Sequence, residues 1–327
     1  MRVRVPPRAP ISRMSMQRKA LILTDGKAGH ENQSRAFVRA LGLEPVLVPV
    51  KFKTPFAKAA SYLLDRLGVR SLSLLDGLGG IDAMKDADSP AVVVGTGSGT
   101  FYAAKAVSRR LGIPCGVVLY PRGYSLSGFD CIMAPAFDRP AAAPNVVTVP
   151  MNIVANDEGF YADGVKAFRE RHPGGDGPAA AVVIGGPNKC ATMTRAWMKE
   201  RLDAIFADTS GCERWVTTSR RTPPDVEELV DSYPWDYKLI YSKDHFNPIP
   251  AFVALARRLY VTAESTGMLS EACTCGAAEV YALDNLKPGG HKFRRFLEGL
   301  KADGYVEGSR KADLSAEMAR ARELLCL

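Results

Sequence analysis

The sequence predicts an α/β protein of two doubly wound, Rossmann-like domains facing a central cleft. Three observations carry this reading. The chain has 327 residues, about twice the ~150 residues of a usual domain. Short runs rich in Val, Ile and Leu alternate with amphipathic stretches almost from end to end, which is the pattern of parallel sheets covered by helices on both faces. The stretch 172–178, HPGGDGP, holds two prolines and three glycines and reads as the interdomain linker.

The predicted domains span 19–172 and 178–305, preceded by a basic tail over 1–18 that we expect to be disordered and followed by a helical stretch over 306–327. In the first domain, strands are expected at Ala20–Thr24, Pro45–Val50, Ala91–Val94, Gly116–Tyr120, Cys131–Ala134 and Val146–Val149. Between them, helices are expected at His30–Leu41, Pro55–Leu67 and Thr100–Leu111, the last stopped by Gly112 with Pro114 just beyond. In the second domain, strands are expected at Ala180–Ile184, Trp215–Thr218, Lys238–Tyr241, Leu259–Ala263 and Val280–Leu283. Its helices are expected at Met193–Phe206, Pro224–Ser232 and Met268–Cys275, then at Lys292–Ala302 and Leu314–Leu325. Thr222 as hydroxyl cap, Pro223 as first helical residue and Asp225 as first-turn acid give one of these helices its start.

Composition narrows the function. With 46% hydrophobic and 24% charged residues, the chain resembles ordinary folded proteins rather than disordered or disulfide-stapled ones. Its longest apolar runs, such as Ala179–Ile184 and Cys115–Leu119, fall far short of the ~18 residues that span a bilayer. The net charge is +8, but Arg2, Arg4, Arg8, Arg13, Arg18 and Lys19 supply most of it. The remainder is nearly balanced and lacks a basic stripe, so we expect no nucleic-acid partner. The tail has no apolar stretch of a secretory signal; it is Arg-rich and acid-poor like a transit peptide, yet Pro-rich. Seven cysteines form no CxxC pair and four histidines no metal-binding spacing, so we expect neither a disulfide framework nor a metal, and a reducing, cytoplasmic setting. Cys273 and Cys275 read as small core residues.

Five loops fall at predicted strand ends: Asp25–His30, Gly95–Thr100, Gly185–Lys189, Ser219–Thr222 and Glu264–Met268. Most lead quickly into a helix, where unpaired N–H groups and the helix dipole favour anions, so together they point to a phosphate-bearing ligand. Taken singly, each could equally be a tight turn. Gly95-x-Gly97-x-Gly99 has the wrong spacing for a dinucleotide fingerprint, and no GxxxxGK[ST] is present. In Thr262–Gly276, TAESTGMLSEACTCG, the amides of Thr266, Gly267 and Met268 could take a diphosphate and Glu271 the ribose hydroxyls. Glu271 would alternatively do no more than complement a helix dipole.

This last stretch resembles the donor-site motif of GT-B glycosyltransferases. More specifically, the chain resembles the mitochondrial-fission family, whose bacterial members are grouped as GT-B-like glycosyltransferases. The resemblance rests on Asp25–Gln33 (DGKAGHENQ), Gly185–Pro187, Ser219–Pro223 (SRRTP), Asn247–Pro248, Ser265-x-x-Met268-x-Ser270-Glu271-Ala272 and Gly289–Phe296, and covers about residues 20–305. Departures are Glu264 in place of Asp, Gly267 in place of Ser, and Gly276-Ala277-Ala278 in place of Gly-Lys-Pro.

The resemblance implies a metal-independent transfer of sugar from a nucleoside-diphosphate sugar, with no cofactor beyond that donor. It implies donor binding by Gly185, Gly186, Asn188, Ser219, Arg220, Arg221, Ser265, Thr266, Gly267, Met268 and Glu271, with the two arginines neutralising the diphosphate. The acceptor, on the first domain, would meet His30 as general base, with Asp25 as the rival base. The final helix would pack back on the first domain. The basic block Gly289–Arg295 would serve phosphates or anionic lipid headgroups, which suits a lipid-linked or cell-envelope acceptor and peripheral contact with the inner face of the membrane. Alternatives are a nucleoside-diphosphate-sugar epimerase of the same fold and a non-catalytic membrane adaptor.

Overall fold

The structure is a computed structural model that describes residues 18–85, 89–154, 156, 158–174 and 177–327. The tail before residue 18 and residues 175–176 of the HPGGDGP stretch lie outside the described residues. The chain folds into two parallel sheets with helices on both faces, each sheet buried from both sides as parallel sheets must be.

The first half supplies β1 (Lys19–Thr24), β2 (Glu44–Pro49), β3 (Lys51–Phe52), β4 (Leu75–Asp76), β5 (Val92–Thr96), β6 (Cys115–Val118), β7 (Cys131–Pro135) and β8 (Val146–Val149). Six of these form one sheet in the order β2-β1-β5-β6-β7-β8, while β3 and β4 make a small antiparallel pair. Helices α1 (Ala28–Ala40), α2 (Pro55–Arg66) and α3 (Phe101–Leu111) connect them. Gly112, at φ +70, closes α3 in the left-handed conformation that glycine adopts without steric cost.

The second half begins with α4 (Glu158–Arg171). It continues through β9 (Ala179–Val183), α5 (Arg195–Asp208), β10 (Glu213–Thr217), α6 (Pro224–Asp231), β11 (Tyr237–Leu239) and α7 (Ile249–Leu255). Then come β12 (Arg258–Thr262), α8 (Thr266–Thr274), β13 (Glu279–Leu283), α9 (Lys292–Ala302) and α10 (Ser315–Leu324). Its sheet runs β11-β10-β9-β12-β13. In both sheets the chain moves outward from a central strand and then returns to that strand's other side. The resulting switch points lie between β1 and β5 and between β9 and β12, and a doubly wound sheet binds its ligands beyond the carboxyl ends of the strands at such points.

The interdomain crossing is not where HPGGDGP placed it. Phe168 of α4 is fully buried against Trp215, Tyr237 and Phe252, so α4 belongs to the second domain, and HPGGDGP only joins α4 to β9 within it. The chain crosses earlier, just after β8, where Met151 is buried in the second domain's core. Helices α4 and α7 escaped the sequence reading because glycine and proline look like breakers there. Gly164 is where α4 meets Pro250 of α7, which leaves no room for a side chain. Pro250 itself sits in the first turn of α7, where a missing N–H costs nothing. At the other end, Ala321 of α10 and Leu325 are buried in the first domain's core, and Arg322 donates to the Leu41 carbonyl at 2.6 Å.

A buried ion pair, not anticipated from the sequence, pins α2 to α3. Asp65 is 1% exposed and Lys105 2%. Lys105 Nζ lies 2.9 Å and Arg70 3.1 Å from Asp65 Oδ1, and the Ser125 amide donates to Oδ2 at 2.7 Å. Burial pulls the Lys105 ammonium below its ordinary value, against the opposing pull of Asp65. Removing the carboxylate strands two cations, whereas removing Lys105 leaves Asp65 with Arg70. We therefore expect Asp65→Ala to cost about 3–5 kcal/mol and Lys105→Met clearly less, as read by denaturant unfolding.

Candidate active site

The loop after β1 builds the first side of the cleft. Both carboxylate oxygens of Asp25 lie 3.1 Å from His30 Nδ1, and Lys27 Nζ donates to Oδ2 at 3.0 Å. An ionised carboxylate only accepts, so Nδ1 carries the proton and Nε2 is left with its lone pair. Burial alone would raise the Asp25 carboxyl, but the hydrogen bonds from Lys27 and His30, joined by the positive charge of the ring whenever it is protonated, outweigh it and hold the group below its ordinary value.

The loop after β5 is the seat of this pair. A Cβ on Gly97, whose φ is +81, would overlap the His30 ring, and one on Gly99 would stand 2.7 Å from Asp25 Oδ2. The glycines read from sequence as a phosphate cradle thus serve close packing.

The second domain's loops behave in a related way. The Gly185 amide donates to Thr262 Oγ1 at 2.9 Å and the Gly186 amide to buried Glu264 at 2.7 Å, so neither offers its N–H to a donor as we expected. A side chain on Gly185 would run into Glu264, and one on Gly186 into the Arg221 carbonyl. Glu264 also accepts from Asn285 at 2.7 Å, which makes it the organiser of this floor. Asn188 accepts from the Cys190 amide at 2.7 Å, closing its own turn. Thr222 is not a helix cap: Pro223 holds that position, while the Thr222 hydroxyl donates to the Gly185 carbonyl at 2.6 Å and accepts from the Ser219 amide at 2.9 Å. Arg220 and Arg221 are left exposed beside this knot.

The start of α8 is different. Ser265 is its N-cap but makes no side-chain cap bond, and the first turn holds no acid, so the amides of Thr266, Gly267 and Met268 lack intrahelical partners. His30, Gly29, Asn152, Thr266, Gly267 and Lys292 share one cavity of about 310 Å³ between the domains. His30 of the first domain and the uncapped start of α8 in the second thus line one space. An adjoining hollow of about 550 Å³ is lined by Ser265, Gly267, Met268 and Glu271 together with Asn32 and Arg35 of α1.

Glu271 accepts from Tyr161 and from Asn156, both at 3.0 Å. Burial raises its carboxyl above the ordinary value, and these two bonds pull it back only in part. The basic block before α9 is largely spoken for. Arg294 pairs with Asp284, Arg295 donates to the carbonyls of Phe137 and Gly290, and His291 caps α9 through Nδ1, which leaves Lys292 on the cavity. Among the described residues, no cluster of His, Cys, Asp and Glu suits a metal ion, and no helix is long and apolar enough to cross a membrane.

Comparison with known proteins bears on this arrangement. Residues 28–323 match the family described as Mitochondrial fission ELM1. The chain belongs to that family. Mitochondrial fission protein ELM1 of Arabidopsis thaliana is 23% identical, the match covering 88% of this chain and 84% of the plant protein. In fold, this ELM1-family chain is similar to a Listeria monocytogenes protein described as a UDP-N-acetylglucosamine 2-epimerase, with a TM-score of 0.53 at 14% identity, covering 95% of this chain and 88% of that one. A UDP-glucosyltransferase of Polygonum tinctorium gives a TM-score of 0.45 at 10% identity, over 95% and 94% of the two chains. At such identities the likeness is one of fold, and the Listeria match agrees with the two-domain α/β architecture.

Several cleft residues of this ELM1-family chain were missed from sequence: Asn152, Asn156, Tyr161 and Leu119. The first three lie on or after a crossing that was placed twenty residues too late. Leu119 lines the His30 cavity at φ +74, an unusual backbone conformation for a side chain of that size, and nothing in its sequence context announces it.

Two outcomes follow. Gly97→Ala should displace the His30 ring and cost about 1–3 kcal/mol in thermal or chemical unfolding. Glu271→Gln tests the buried carboxylate. The native chain holds that proton more tightly than the unfolded chain, so stability from this group is present at low pH and lost as pH rises through the folded value. The Gln variant should therefore melt higher than wild type at neutral and alkaline pH, the difference closing in acid.

Proposed function

We propose that this protein is a GT-B-type glycosyltransferase that moves a sugar from a nucleoside-diphosphate sugar to an acceptor hydroxyl without a metal. The observation that supports it is the shared cavity: His30 of the Asp25–His30 pair and Thr266 and Gly267 at the uncapped start of α8 line the same space. A base on one wall and an anion site on the other are what a direct displacement requires.

In this reading the donor lies on the second domain. Its diphosphate sits at the amides of Thr266, Gly267 and Met268, with Lys292, Arg220 and Arg221 adding positive charge, and its ribose hydroxyls meet Glu271. The acceptor hydroxyl gives its proton to His30 Nε2 while its oxygen bonds the anomeric carbon. The bond from that carbon to the diphosphate breaks, and the electron pair leaves with the phosphate. Asp25 holds the imidazole in the required tautomer and stabilises the imidazolium that forms. The acceptor class we propose is lipid-linked, and the setting is the cytoplasm at a membrane face.

The test starts with thermal unfolding of the wild type against UDP, GDP, ADP, dTDP and CMP, because a ligand selective for the native state raises its stability. One nucleotide should raise the melting temperature, and Glu271→Ala should remove that rise. His30→Ala and Asp25→Asn should keep the rise and lower turnover of the matching sugar nucleotide by about 10²–10⁴. Absence of any rise in a well-folded sample would return the weight to an adaptor. Conversion of the sugar on the nucleotide, with no acceptor consumed, would instead identify an epimerase.

A further inference from the structure

Helix α2 carries large apolar residues on its outer face as well as its inner one. Its fully buried residues are Ala57, Ser61 and Asp65, four apart and small or polar, and Tyr62 and Leu64 lean half-buried on the core beside them. The other large apolar residues face outward: Phe56 is 81% exposed, Leu63 62% and Leu67, at the C-cap, 67%, with Val69 following at 42%. Positions 56, 63 and 67 fall on one helix face. The helix is soundly built, with the Thr54 side chain accepting from the Ala57 amide at 3.0 Å and Pro55 in the first turn. A helix already anchored on its inner side that still presents a row of exposed large apolar residues leaves that row for something else.

The surrounding charge identifies the occupant. Around α2, between residues 53 and 75, the only acid is Asp65, which is buried and held by Lys105 and Arg70, while Lys53 and Arg66 are exposed; Lys51 stands opposite Asp76 in the β3–β4 pair. Next to Val69 lies a hollow of about 670 Å³ lined also by Arg70, Arg109 and Arg110. Arg110 is paired with Asp82, whereas Arg109 is exposed. A second copy of this chain would set the same cations against each other across a two-fold interface. An anionic lipid surface takes both features, acyl chains against Phe56, Leu63 and Leu67 and headgroup phosphates against the cations.

We propose that the outward face of α2 docks this protein on anionic membrane surfaces. The docking site differs from the basic block before α9, whose arginines are engaged within the fold. It also lies close to the catalytic loop: Lys58 of α2 donates to Ser98 Oγ at 3.3 Å, and Ser98 stands between the two glycines on which His30 and Asp25 rest. Docking does not depend on the donor reading, because vesicle binding is measured without nucleotide.

The experiment is flotation of the full chain with phosphatidylcholine vesicles, with and without phosphatidylglycerol, alongside sedimentation of the protein alone. Wild type should float with the anionic vesicles and not with the neutral ones, and should release at high ionic strength. A combined Phe56→Ser, Leu63→Ser, Leu67→Ser variant, and separately Lys53→Glu, Arg66→Glu, should lose binding by about tenfold or more with an unchanged melting temperature. Undiminished flotation of both variants, or no flotation of the wild type, overturns the proposal. A wild-type dimer dissolved by the serine variant would overturn it in favour of a second copy.

Discussion

The cleft depends on close backbone approach at the two points where strand order reverses. Gly97 and Gly99 let the loop after β5 lie directly against His30 and Asp25, and Gly185 and Gly186 let the loop after β9 lie against Glu264 and the Arg221 backbone. A methyl group at any of the four would push a site residue or the site's floor. The glycines act by absence: they bring side chains from one loop onto the main chain of the next, and that contact orients the imidazole at one switch point and the Glu264 carboxylate at the other. This explains why the glycine-rich loops after β5 and β9 read from the sequence as phosphate cradles. Gly-rich turns at strand ends mark close approach, and whether the approaching body is a ligand or a neighbouring loop is decided by where the amides are spent.

Between these two supports, the domains are tied at both flanks of the cavity. The crossing after β8 lies along α8, where the Asn152 amide donates to Ser270 Oγ at 3.1 Å and Asn156 reaches Glu271. On the opposite flank, Phe137 of the first domain meets Phe296 of α9 edge to face at 5.0 Å, and Arg295 bonds the Phe137 carbonyl. Helix α8 is therefore held by its polar residues from the first domain's side, while its N-terminal amides stay open to the cavity.

Much of the architecture was legible because parallel strands buried on both faces leave apolar runs that few other elements produce; β1, β5, β7 and β9 each fall within a residue or two of their expected positions. The loops that converge could be named for the same reason. What could not be read was contact across long sequence separations. Asp65 looks like an ordinary surface acid on an amphipathic helix until Lys105, forty positions away, is placed beside it. Phe168 looks like a first-domain residue until Trp215 and Phe252 close around it. Glu264 stands out in the sequence only as a departure from the family's aspartate, and its contacts with the Gly186 amide and Asn285 show what it holds.

The return of α10 to the first domain carries a consequence for how the molecule is made. Ala321 and Leu325 complete a core whose other members, Ala20, Ile22 and Val94 among them, are synthesised some three hundred to two hundred and thirty positions earlier. Until residues 315–325 emerge from the ribosome, that side of the first sheet stays open, with Leu325 missing from its place against Gly116. The amino-terminal domain is thus the first to be translated and cannot be the first to be finished, a long-range closure of the kind that slows folding and prolongs exposure of apolar surface.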